Sequence, residues 1–103
     1  MKILEDEIDG LSPLLHYGVT LYPADQLEHI FDWAGKQGKR IEWIDAIRLG
    51  PSATQPSMEH SVTENASIEY PQFRATCLET ALTWIANSQA CGMVAYFEIG
   101  ISD

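Results

Sequence analysis

Apolar residues recur along this chain with two different periods. Leu27, Ile30, Phe31 and Ala34 fall at i, i+3, i+4 and i+7, which makes one face of a helix. Pro23 suits the first position of that helix, Asp25 its positive end, Lys36 its last turn and Gly38 a left-handed exit. From Ile41 to Leu49 the period becomes two. Ile41, Trp43, Ile47 and Leu49 point one way; Glu42, Ile44, Ala46 and Arg48 point the other. Apolar residues on both sides predict a strand inside its sheet. Asp45 falls on the Ile/Trp/Leu side, where a buried carboxylate needs hydrogen-bond partners or turns neutral. The expectation is therefore a strand bulge or a local backbone bond at Asp45.

The remaining pattern fills in around that pair. Residues 2–9 read as a short helix ended by Gly10. Ser12-Pro13 reads as a cap and helix start running through His16 and Tyr17 to Gly18. After Leu49 the stretch GPSATQPSMEHS has no period and reads as a long loop, either mobile or part of a binding edge. Val62–Tyr70 alternates and predicts a half-exposed strand. Pro71 opens a second helix with Phe73, Cys77, Leu78, Ala81, Leu82, Trp84 and Ile85 on a broad apolar face, and Met93–Ile101 alternates as a last strand. The expected fold is α+β: a single domain over residues 1–103, with a three-stranded or slightly larger mixed sheet. Two main helices pack mostly on one face, with short N-terminal helices besides. The first two strands would pair antiparallel, and the second helix would make a right-handed crossover to the last.

Composition narrows the class. A chain that is 46% hydrophobic is not disordered, yet no apolar run has the length of a membrane span. The start, MKILEDEIDG, is too acidic for a secretory leader, so a cytoplasmic protein is expected, with Cys77 and Cys91 as reduced core thiols. Six Lys and Arg against fifteen Asp and Glu give a net charge of −9. That charge repels nucleic acid and anionic membranes and speeds encounter with a basic protein.

Motifs for chemistry are sparse. The sequence has no P-loop, no GxGxxG and no GxSxG. Asp25, His29 and Asp32 share a helix side, but no second histidine completes a metal set, so a hydrated acidic face is expected, with no metal and no cofactor. Cys77 on the apolar helix face reads as inert. Glu64, Glu69 and Glu98 read as solvated strand carboxylates. Trp43, Trp84, Phe31, Phe73 and Phe97 fall on core faces. Trp33, Tyr17, Tyr22 and Tyr96 fit the core pattern less well, and an aromatic beside carboxylates is what an interface anchor looks like.

The run GVTLYPADQLEHIFDWAGKQGKRIEWIDAI, followed by SIEYPQFRATCLETALTWI, resembles the small acidic immunity proteins of bacterial toxin systems. The shared pattern is a Gly-Val turn at Gly18-Val19, the aromatic Tyr22, the helix Leu27 to Trp33 with its exit at Gly38, and a strand with Asp45 in its middle. The segment from Tyr70 through Ile85 then matches a strand ending in an aromatic and a helix ending in aromatic-Ile. Trp43 and Ile44 stand where such relatives carry small residues. Small orphan proteins in mobile gene cassettes are similar in size and charge. The resemblance implies a non-enzymatic protein that neutralises a basic toxin domain. The contact candidates are the Asp25, Glu28, Asp32 and Trp33 face and the Glu64/Glu69 strand, together with Asp45, Tyr96 and Glu98. Two other readings stand beside it. One is a small-molecule or enzymatic pocket between sheet and helices in which Asp45 and a histidine or Cys91 converge. The other is a homodimer through the edge of Val62–Tyr70 or of the last strand.

Overall fold

A computed structural model describes residues 14–16, 18–51 and 53–102. Five strands form one sheet: β1 (Leu14–His16), β2 (Val19–Pro23), β3 (Arg40–Leu49), β4 (Thr54–Thr63) and β5 (Val94–Ser102). Their order is β1-β2-β5-β3-β4, and every neighbouring pair is antiparallel. A 3₁₀ turn at Ala24–Gln26 leads into α1 (Leu27–Lys36), and α2 (Tyr70–Ala90) joins β4 to β5. The α+β class and the two helices stand; the three-stranded mixed sheet is corrected to five antiparallel strands.

The corrections have local causes. The segment expected to carry a helix through His16 is instead β1, whose residues 14–16 pair with residues 19–21 across a tight turn. The helix expected at 2–9, with Ser12, Pro13 and Tyr17, lies outside the described residues. Pro23 ends β2 and caps the 3₁₀ turn rather than opening α1. The expected loop after Leu49 is largely strand. β4 tolerates Pro56 because it lies at the sheet edge, where a missing N–H breaks no second ladder. The expected strand at Val62–Tyr70 survives only at Val62 and Thr63. Asn65 Oδ1 accepts a hydrogen bond from Ser67 N at 2.9 Å and folds this stretch into a turn, and Tyr70 already belongs to α2. The C-terminal strand β5 lies between β2 and β3 and offers no edge, whereas Val62 and Thr63 of the other segment named for strand-edge dimerisation belong to β4, which with β1 is an outer strand of the described sheet.

Both helices cover one face. Leu27, Ile30, Phe31 and Ala34 of α1 and Phe73, Cys77, Ala81 and Trp84 of α2 form one core with Tyr22, Ile41, Ile44, Ala46, Ala95 and Phe97. Leu82, expected on the apolar helix face, is 71% exposed. Gly38, at φ +67°, turns the chain so that Lys39 N donates to Ala34 O at 2.8 Å, which closes α1.

Strand β3 does not keep strict alternation. Its pairing with β5 shifts between Ile41 and Trp43, so Ile41 and Ile44 both turn to the helices. Trp43, Asp45, Ile47 and Leu49 consequently face away from them. The apolar side assigned to the core from sequence is therefore the opposite face, and Asp45 is exposed rather than buried. On the β4 side the register slips between Ile44 and Ala46. Residues 58–61 bulge out opposite Asp45. Ser61 closes this excursion: its Oγ accepts from Ala46 N at 2.9 Å and donates to Ser57 O at 2.7 Å.

The β1–β2 hairpin leaves the sheet beyond Tyr22, the last point at which β2 pairs with β5. His16 of β1 nevertheless lies 3.0 Å from Thr54 Oγ1 of β4, at the far end of the strand order. With helices on one face, the hairpin reaches Thr54 across the other. Leu21 is buried apart from the main core, and Ile47, Leu49 and Tyr96, between those two points, are half-buried.

Candidate functional site: an acid pair on the sheet face away from the helices

The register of β3 and β5 builds three successive rows on this second face. Trp43 pairs with Gly100, Asp45 with Glu98, and Ile47 with Tyr96. Directly paired residues share a face and stand close together. A Cβ on Gly100 would fall 2.2 Å from the indole of Trp43, so the ring lies flat on the glycine backbone. The middle row sets two carboxylates side by side. Like charges directly opposite destabilise a sheet by roughly 0.2–1 kcal/mol. Among the described residues, neither Asp45 nor Glu98 has a hydrogen bond or an ion pair.

All three arginines of the chain are engaged elsewhere. Arg40 donates to Glu64 from Nε at 2.7 Å and stacks over Tyr70. This hydrogen bond, with the attraction of Glu64, holds the Arg40 guanidinium above its ordinary range. Arg74 donates to Asp32 at 2.6 Å and holds that carboxyl below the usual 3.8, through the hydrogen bond first. Arg48 binds Gln55 and Asn87 and lies over Trp84.

The sequence candidates thus fall into separate groups. Asp45, Tyr96 and Glu98 come together on the second face. Asp25, Glu28 and Asp32 are exposed along the 3₁₀ turn and α1, with Asp32 neutralised by Arg74, while Trp33 is half-buried against the core beneath Lys39. Glu64 and Glu69 do not share a strand; Glu64 pairs with Arg40 and Glu69 precedes the first turn of α2. Among the described residues, Asp45 does not converge with His60 or with Cys91. His60 stacks on Trp84 on the helix side, with ring centroids 4.8 Å apart, and the sheet stands between it and Asp45. His60 Nδ1 lies 2.8 Å from Ser57 Oγ, so this ring helps hold the 58–61 excursion. Sequence reading gave His60 no role, because only the tertiary fold brings α2 over it.

Other chemistry is muted. Burial pushes the Cys77 thiol up to about 12, which leaves almost no thiolate at neutral pH. Cys91 is exposed at the turn after α2. Among the described residues, no three His, Cys, Asp or Glu side chains gather as metal ligands. No helix among them is long and apolar enough to cross a membrane. Compared with protein-family models, with curated proteins and with solved structures, the chain finds no match.

Proposed function

We propose that this chain is a non-enzymatic, cytoplasmic binding protein that takes a basic protein surface on the face carrying Trp43, Asp45 and Glu98. It would act as an immunity protein acts on a toxin domain. The observation that supports this reading is the Asp45–Glu98 pair. Two carboxylates held opposite each other, with the three arginines turned to other partners, cost stability that an incoming Lys or Arg would recover. Trp43 beside them supplies a broad, half-buried aromatic surface for a cation or an apolar side chain. Two free cysteines accord with a reducing compartment.

The test is binding to the product of the adjacent reading frame, followed by stopped-flow at low and high salt. Asp45→Lys with Glu98→Lys should slow association about tenfold or more at low salt and flatten its salt dependence. The same reversal at Glu28 and Glu79, exposed acids on the two helices, should act weakly. Unchanged association in the first variant, or a larger loss in the second, removes the second sheet face as the binding surface.

A further inference from the structure

At one end of the sheet a groove opens between the 3₁₀ turn, the start of β5 and the last turns of α2. Its volume is about 180 Å³. Pro23, Ala24, Ile85, Met93, Val94 and Ala95 give it apolar walls, while Gln89 and the carboxylate of Asp25 supply its polar side-chain groups. Val94 leaves 56% of its surface exposed here. Asp25 is exposed and, among the described residues, makes no ion pair.

Two electrostatic features favour the same charge. Asp25 places its carboxylate at the groove. α2 ends at Ala90, so its C-terminal carbonyls bring partial negative charge to the same end. A neutral ligand would satisfy the walls and leave both features unanswered. An anion would be repelled by both. A side chain with an aliphatic stem and a cationic head answers all of them: the stem lies on the apolar walls and the head reaches the carboxylate.

We propose that this groove seats a lysine side chain of the protein partner. The inference rests on the binding reading in one respect: the basic partner supplies the lysine. Pro23 and Val94 connect the two surfaces, since Pro23 pairs with Tyr96 and Val94 with Leu49. The groove is then a second anchoring point, separate from the acid pair and placed beyond the end of its rows.

The groove can be tested without the partner. The folded protein is titrated with Nα-acetyl-lysine N-methylamide and, separately, with the norleucine analogue, which keeps the stem and lacks the ammonium. Amide chemical shifts of Ala24, Asp25, Gln89, Val94 and Ala95 are followed. The lysine compound should give saturable shifts confined to the groove and bind at least tenfold more tightly than the norleucine compound. Asp25→Asn should remove that preference. Gln89→Lys, an exposed change at the end of α2, should block binding of the lysine compound while leaving the spectrum folded. Equal binding of the two compounds, no saturable shift with either, or a preference that survives Asp25→Asn overturns the proposal. Failure here with an intact effect of Asp45→Lys and Glu98→Lys on the partner sinks the groove alone; the reverse pattern sinks the sheet-face reading alone.

Discussion

The two faces of this sheet are made by the same strands and differ in how their polar groups are served. On the helix side, Trp84 is buried, donates from Nε1 to Tyr96 O at 3.2 Å, and is in contact with His60 and with Arg48, which itself donates to Gln55 and Asn87. On the other side, Trp43 lies on Gly100 beside two carboxylates with no partner among the described residues. One tryptophan completes a core; the other caps a surface whose charges are left unbalanced. That contrast teaches that, among the described residues, the second face sets two acids directly opposite each other in the sheet with no cation between them, an arrangement the helix side does not have.

The comparison breaks most readily at the two tryptophans. Trp84→Ala should cost about 3–5 kcal/mol of folding stability, read from urea midpoints, because it opens a cavity under α2. Trp43→Ala should cost far less and should instead weaken partner binding. Similar losses of stability from both would mean that the second face is also core. Next in size is Gly100→Ala. Its methyl must displace the Trp43 ring, which predicts about 1–3 kcal/mol of destabilisation and a changed tryptophan fluorescence. Combining it with Trp43→Ala should recover most of that loss.

Asp45→Asn should move stability the other way. Relieving the repulsion from Glu98 is expected to stabilise the free protein by roughly 0.2–1 kcal/mol while slowing partner capture. A destabilised Asp45→Asn protein would show that the carboxylate serves the fold. The smallest effect belongs to the Asp32–Arg74 pair, which is exposed. Asp32 has a lowered pKa in the folded protein, so its contribution is present above the ordinary carboxylate value of 3.8 and is lost as pH falls through its folded value. Wild type and Asp32→Asn should therefore differ slightly in melting temperature at neutral pH and converge in strong acid.

Much of the architecture was legible in the sequence. The helix from Leu27 with its Gly38 exit, the helix led by Pro71 and the final alternating strand all appear close to where periodicity placed them. The failure at β3 has a clear cause. A period of two names two faces of a strand without saying which is wet, and a shift at Ile41/Trp43 exchanges them. Asp45 looked anomalous only because Trp43, Ile47 and Leu49 were assigned to the core. Val62 to Tyr70 alternates, yet an Asn65 side chain makes it turn. The β4 strand hid in a stretch of two prolines and three serines, and the Pro56 it contains is tolerated at an edge position. Of the candidate site, the acids were visible as residues; their pairing was not, because Asp45 and Glu98 are brought opposite each other only by the insertion of β5.

That insertion governs how the molecule comes into being. β2 and β3 do not pair with each other, and the strand that bridges them is the last described element of the chain. A nascent polypeptide that stops short of Val94 holds two disconnected fragments of sheet, one on each side of a gap. Synthesis must reach β5 before the two fragments can be zipped together, and until then the apolar sides of both remain open to whatever handles unfinished proteins in the cell.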